Sequence, residues 1–231
     1  MINLQDKRLK VIIYGGNGFV GTHVAKRLSS EDMCVVCLSR SGYKPLHLKD
    51  ELWSESIRWC KGDANSPDGA LLSTADVVII LVGSAPVPTF SRHAYESQFN
   101  NNGSAPKSVI DCAAEIGVKK IVLMSAKLPF FLKTKHFAYS RGKDLALESA
   151  QKFAELSQQH SAIVLQPGTL LGKRHLKNGK VLHLDTLLSP FSKVLPSQFT
   201  SIHDISEKVA DTILNENKYA GKFTLIKHPD I

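Results

Sequence analysis

The sequence predicts an α/β fold built on a doubly wound parallel sheet, and three observations carry that expectation. Short apolar runs alternate with stretches of helical period, the pattern of repeated βαβ units. The first apolar run leads directly into glycines three residues apart, Gly15, Gly18 and Gly21. The chain of 231 residues is 43% hydrophobic and 22% charged, enough to bury one sizeable core.

The elements follow in order. Residues 9–14 read as a buried strand, and a helix over 19–28 puts Val20, Val24, Ala25 and Leu28 on one face. Further strands are expected at 34–38, 57–60, 77–82, 121–124 and 163–165. Helices are expected over 95–100, 105–116 and 139–158. After Pro167 the pattern is shorter and less regular, with a helix near 205–214 and a last strand near 223–226. With no repeat and no flexible linker, 1–231 reads as a single domain. Residues 168–231 are too few for a core of their own and are expected to form a small appendage on the substrate side.

Composition removes several function classes. Cys34 and Cys37 resemble a metal or redox pair, but three residues apart on a strand they face opposite ways. The four cysteines are therefore expected to be small core residues in a reducing compartment, and no metal site is expected. His136 and His203 read as polar loop residues. Met1 to Asp6 has neither an apolar leader nor an Arg/Ser-rich amphipathic pattern. This favours a cytoplasmic location, or a mitochondrial one if the source is eukaryotic. The net charge is +8. From Gly117 to Lys180 twelve Lys/Arg stand against three Asp/Glu, so that segment alone carries 12 − 3 = +9. It is a solvated face, a field for an anionic cofactor, or a contact with an acidic membrane. Nucleic acid is disfavoured, since few aromatics interleave with the charges.

The glycine turn carries the first chemistry. Gly15 permits the tight turn out of the strand, Gly18 lets backbone approach a pyrophosphate, and Gly21 lets helix and sheet pack closely. Asn17, Phe19 and Val20 complete a helix start whose free N–H groups suit phosphate. After the second strand stand Ser39, Arg40 and Ser41, where a carboxylate would select NAD and an arginine accommodates the 2′-phosphate of NADP. NADP is therefore the expected cofactor, with NAD the alternative. Asp63 follows the third strand and either accepts from an adenine amino group or caps the next helix. Val82 and Gly83 follow the fourth strand, where a small residue lets the chain pass a nicotinamide ribose.

A second constellation joins Ser125, at the end of the fifth strand, to Tyr139 and Lys143, one helical turn apart. An ammonium beside a phenol lowers its pKa, so the phenol can relay a proton near neutral pH. The lysine can also hold a ribose, and the serine can orient a carbonyl.

Together these residues resemble the short-chain dehydrogenase/reductase superfamily, and within it the atypical, NAD-dependent epimerase/dehydratase-like branch with its Rossmann-type sheet. The resemblance implies cofactor contacts at Gly15, Gly18, Gly21 and Asp63 and a catalytic trio of Ser125, Tyr139 and Lys143. Leu165-Gln166-Pro167-Gly168 with Gly172 resembles the family's turn after the sixth strand, with Gln166 where Arg is usual, which adds Pro167 to the cofactor contacts. Ser201 to Ile205 resembles the segment that closes the substrate pocket. Leu38 to Gly42 and Trp59 to Asp63 resemble the group of the complex I dehydrogenase-like accessory subunit and a fungal ubiquinone-biosynthesis protein. The run Leu128 to Leu132 is either core or a greasy lip for an apolar substrate such as a quinone. The reading is an oxidoreductase acting on a carbonyl or alcohol. The alternative is a nucleotide-binding assembly factor in quinone metabolism or a respiratory complex, or a nucleotide-ratio sensor.

Overall fold

The computed structural model describes residues 8–126, 137–176, 178–195 and 198–231. The strand β1 (Leu9–Tyr14) turns at Gly15 into α1 (Phe19–Ser29), then β2 (Met33–Ser39) and β3 (Arg58–Lys61). A short α2 (Gly69–Leu72) leads to β4 (Val77–Ile80). Next come α3 (Arg92–Phe99), a π-helical turn over Asn100–Ser104, and α4 (Ala105–Glu115). The strand β5 (Lys120–Met124), helix α5 (Ala138–Glu155) and strand β6 (Ser161–Gln166) follow. The rest is β7 (Thr169–Leu171), β8 (Lys173–His175), β9 (Val181–His183), α6 (Leu184–Val194), β10 (Phe199–Ser201), α7 (Ile202–Leu214), α8 (Glu216–Tyr219) and β11 (Phe223–Lys227).

Seven strands form one parallel sheet in the order β11-β6-β5-β4-β1-β2-β3. The order reverses between β1 and β4, and ligands of open α/β sheets bind in the crevice beyond the strand ends at such a point. Alternation along the strands creates two apolar layers. Val11 and Ile13 of β1 pack with Val24 and Leu28 of α1 and Ile205 and Val209 of α7. Ile12 and Tyr14 face the other side, with Val109 and Ile110 of α4 and Phe153 of α5. These side chains are almost wholly buried, and each aliphatic one contributes about 1.5–3 kcal/mol.

The stretch 168–231 divides. The strand β11 pairs with β6 as the last strand of the main sheet, and α7 packs against α1. Two small sheets, β7 with β10 and β8 with β9, sit outside it. The cysteines depart from expectation: Cys37 is buried, but Cys34 is exposed, and Cys60 and Cys112 are half-buried. Cys34 lies one residue into β2, before the strand passes beneath the helices, so it packs under nothing. All four are free. Among the described residues no group of three or more His, Cys, Asp or Glu converges as a metal site, and no helix is long and apolar enough to cross a membrane.

Candidate nucleotide and catalytic site

The strand ends around the reversal point open into a cavity of about 940 Å³. Its floor is the glycine turn. Gly15 sits at φ +85°, which a side chain rarely adopts, and its N–H donates to the Leu38 carbonyl at 2.9 Å. A Cβ on Gly21 would lie 2.2 Å from the Gly15 carbonyl oxygen, so the helix can approach the turn only as glycine. Gly16 is just as constrained, since a Cβ there would meet the Cys37 side chain at 2.5 Å. Gly18 is different: it caps α1 in an extended conformation, and its nearest would-be contact is 3.2 Å away. The first turn of α1 carries no acidic residue. Its leading N–H groups therefore face the cavity with their partial positive charge uncompensated.

Gly15, Asn17, Gly18, Phe19, Ser39, Arg40, Asp63, Val82 and Gly83 all line this cavity. Val20, Gly21, Pro167 and Lys143 do not: Gly21 lies behind the turn, and Pro167 is buried near the end of β6. Ser39 and Ser41 hydroxyls stand 3.3 Å apart, and the Asn17 amide donates to Ser41 at 3.1 Å. Arg40 is exposed beside them, with no ion pair among the described residues. Asp63 does not cap the next helix. Its carboxylate accepts from the Asn65 backbone and side-chain amides at 3.0 and 3.1 Å, and Asp68 caps α2 instead, accepting from Leu71 N–H. The helix begins five residues later than the capping reading required.

Ser125, Tyr139 and Lys143 are all buried at one end of this sheet edge. Gln98 holds the helix that carries the last two, and Asn102 holds the loop beside it. The Gln98 amide oxygen accepts from the Tyr139 N–H at 3.1 Å, satisfying a donor that a helix start leaves open, while its NH₂ donates to the carbonyls of Ala85 and Val87. Asn102, fully buried in the π-turn, donates to the Ser84 hydroxyl at 2.8 Å and accepts from the Ser84 N–H at 3.2 Å. Gly103 and Gly142 let α5 lie against that turn, because a Cβ on either would meet backbone at 2.8–3.0 Å.

Lys143 joins the trio to the cavity. Its Nζ donates to the Met124 carbonyl at 3.1 Å and would lie 3.5 Å from a Cβ on Gly83, a wall residue. Burial lowers this lysine to about 8. The expectation that it lowers Tyr139 does not hold: burial pushes the phenol up to about 12. The Lys143 ammonium lies 5.7 Å from the ring centroid and donates its hydrogen bond to the Met124 carbonyl rather than to the phenol oxygen. Loss of solvent therefore outweighs it.

The cavity's outer wall was not foreseen from the sequence. Arg174, His175, Leu176 and Gly179 reach it from β8 and the hairpin tip. His175 stacks on His47 across the mouth, with centroids 3.9 Å apart and planes within 4°. His47 titrates below the ordinary imidazole value, through burial first and then its two histidine neighbours, His175 and His23. The apolar run Leu128 to Leu132 and His136 lie outside the described residues. His203 is exposed at the start of α7, where its N–H donates to the Ser201 hydroxyl.

The model of the NAD dependent epimerase/dehydratase family matches residues 11–189. An uncharacterized chloroplastic protein of Arabidopsis thaliana is 31% identical over 198 residues, covering 83% of this chain and 60% of its own length. MIOREX complex component 2 of Saccharomyces cerevisiae is 35% identical over 78 residues, 32% of this chain and 28% of that one. This chain thus spans well under two thirds of either relative. Among solved structures, MoeE5 in complex with UDP-glucuronic acid and NAD superposes with a TM-score of 0.70 at 19% identity, covering 94% of this chain and 75% of that one. Gre2 of Candida albicans in complex with NADPH gives 0.69 at 17% identity, over 94% and 78%. These two likenesses concern the fold.

Proposed function

We infer, since this chain belongs to the NAD dependent epimerase/dehydratase family, that it is an NADP(H)-preferring oxidoreductase of short-chain type, interconverting a carbonyl and an alcohol. NAD(P) binding is typical of the family. The observation that carries the reading is continuity: one sheet edge runs from the glycine turn through Arg40 and Gly83 to Lys143, with Tyr139 one helical turn before it. The residues fit a dinucleotide on three counts. The turn is packed as only glycine allows, the helix start offers N–H groups without a competing carboxylate, and Arg40 has no carboxylate partner among the described residues. In this reading residues 1–231 act as one nucleotide-binding domain.

A bound nicotinamide supplies or takes up a hydride. Ser125 holds the substrate oxygen, and Tyr139 gives its hydroxyl proton to that oxygen as the hydride adds to carbon, so the C=O π bond becomes C–H and O–H. Burial keeps the phenol protonated, so the proton to be given is in place. Lys143 anchors the ribose. Nucleotide phosphates nearby favour its charged form, so binding is expected to take up a proton above pH ~8.

Titration with NADPH and NADH, in the wild type and Arg40→Ala, tests cofactor choice. NADPH should bind more tightly, and the variant should lose roughly ten-fold for NADPH alone. Equal affinities in the wild type would remove Arg40 from the reading.

A second reading, a nucleotide-binding assembly factor, draws on the likeness to a yeast protein named as a complex component. Two variants separate the readings. Gly18→Val places a branched side chain where phosphate would approach, at a position whose backbone accepts one, and should abolish nucleotide binding in a folded protein. Tyr139→Phe should keep fold and affinity while turnover falls ~10²–10⁴-fold. If only Gly18→Val fails to rescue cells lacking the native protein, the oxidoreductase reading gives way to the second.

A further inference from the structure

The helix α6 is unlike every other helix of its length in the structure: none of its eleven residues is buried. Leu184, Leu188, Ser189 and Ser192 are half-buried against the body, and the outward side is apolar. Leu187, Phe191 and Val194 fall four and three residues apart on one face, and they are 64%, 63% and 76% exposed. Leu195 extends the stripe at 55% exposure. Bulky apolar side chains gathered this way are unfavourable in water, so the stripe calls for a cover.

The charge around the stripe indicates which cover. Residues 173–195 contain five Lys/Arg and one acidic residue, Asp185. Lys173, Arg174, Lys180 and Lys193 are exposed, and none is ion-paired among the described residues. Val181 and Leu182 of the adjoining hairpin are exposed as well. A short helix with one greasy face and a cationic fringe matches the boundary between headgroups and acyl chains. It lies in the plane of that boundary and does not cross it.

We propose that α6 and the β8–β9 hairpin dock the protein on an anionic bilayer surface, with Leu187, Phe191 and Val194 inserted among the acyl chains. Lys173, Lys180 and Lys193 meet the anionic headgroups. The strand β8 packs on α6 and also contributes Arg174 and His175 to the cavity wall. Docking therefore brings the mouth of the cavity to the lipid surface, where an apolar substrate would be concentrated. The docking itself does not depend on turnover.

Flotation with vesicles tests it. The full chain should float with vesicles of phosphatidylcholine containing about one third phosphatidylglycerol, stay in solution with pure phosphatidylcholine, and be released as salt shortens the reach of the charges. Leu187→Glu/Phe191→Glu should cut partitioning roughly a hundred-fold, and Lys173→Gln/Lys180→Gln roughly ten-fold. All four positions are exposed, so circular dichroism should report an unchanged fold. In Phe191→Trp, the emission should shift to the blue on anionic vesicles alone. The proposal is overturned if the wild type ignores anionic vesicles at low salt. It is equally overturned if the double glutamate variant floats as well as the wild type. A third overturning result is a wild-type dimer that this variant splits, with no vesicle binding by either, because a second copy would then be the cover.

Discussion

The cavity has two walls built on opposite principles. The inner wall, with Gly15, Gly18 and Gly83, rests on a turn packed too closely for side chains: a Cβ on Gly16 or on Gly21 behind it would meet neighbouring atoms at 2.5 and 2.2 Å. The outer wall, with Arg174, His175, Leu176 and Gly179, belongs to a hairpin of three residues per strand whose strand residues are all exposed, and a Cβ on Gly179 would meet nothing within 4 Å. The inner wall takes its geometry from the whole sheet, while the outer wall takes its own from a few contacts such as the His47–His175 stack. A cradle needs fixed amides, whereas a rim over which ligands pass tolerates local opening.

Substitutions can break this comparison. The largest effect is expected for Gly21→Val: a side chain forced to 2.2 Å from backbone oxygen should leave little folded protein in a thermal melt. Its counterpart Gly179→Ala meets no neighbour and should cost only the left-handed backbone penalty, about 1–2 kcal/mol at φ +81°. Comparable losses in both would erase the contrast. Asn102→Leu comes next. It removes the partner of the Ser84 N–H and hydroxyl in a fully buried site and should destabilise by about 1–3 kcal/mol. Nucleotide affinity should fall as well, since Ser84 lines the cavity.

Titration sharpens the contrast further. Lys143 releases its proton near 8 in the folded chain and near 10.5 unfolded. Between those values the unfolded chain binds more protons, so stability should rise as pH climbs from about 8 toward 10, before Tyr139 acts with the opposite sign. Denaturant midpoints across that window should rise in the wild type and stay flat in Lys143→Met. The smallest effect belongs to the rim. His47 titrates below the ordinary value, so its neutral form is favoured by folding and that contribution is lost as pH falls below about 6.5. Protection factors of the described 173–183 amides, corrected for the intrinsic pH dependence of exchange, should fall on acidification, and His47→Gln should blunt the change.

The first wall was legible in the sequence and the second was not, for a physical reason. Glycine spacing, strand runs and the Tyr139–Lys143 turn are local signals, set by backbone geometry within a few residues. Arg174 and His175 reach the cavity because β8 folds back across the mouth, and no periodicity in 168–183 announces that. Gln98 and Asn102 were missed because an amide inside a helix is ordinary until its partners 11 to 41 residues away are known. Asp63 illustrates local ambiguity: two acidic residues, Asp63 and Asp68, compete for one cap, and only the backbone decides between them. The titration of Tyr139 was misjudged because spacing reports proximity to a charge, while solvent exclusion depends on the whole fold.

The packing of α7 on α1 has a consequence for how the chain is made. The apolar face of α1, with Val24, Ala25 and Leu28, leaves the ribosome early, and half of its cover arrives only with Ile205, Val209 and Ile213. Until α7 emerges, that face has the sheet on one side and water on the other. Arg27, which bonds Glu31 locally and Glu207 of α7 at 2.8 Å, records both stages in one side chain: a partner present from the start and one that comes late. A nascent chain stalled before α7 therefore carries a sticky helix, and contacts of such long sequence separation form slowly. The interval between the two helices is the stretch of translation in which this apolar face is least covered.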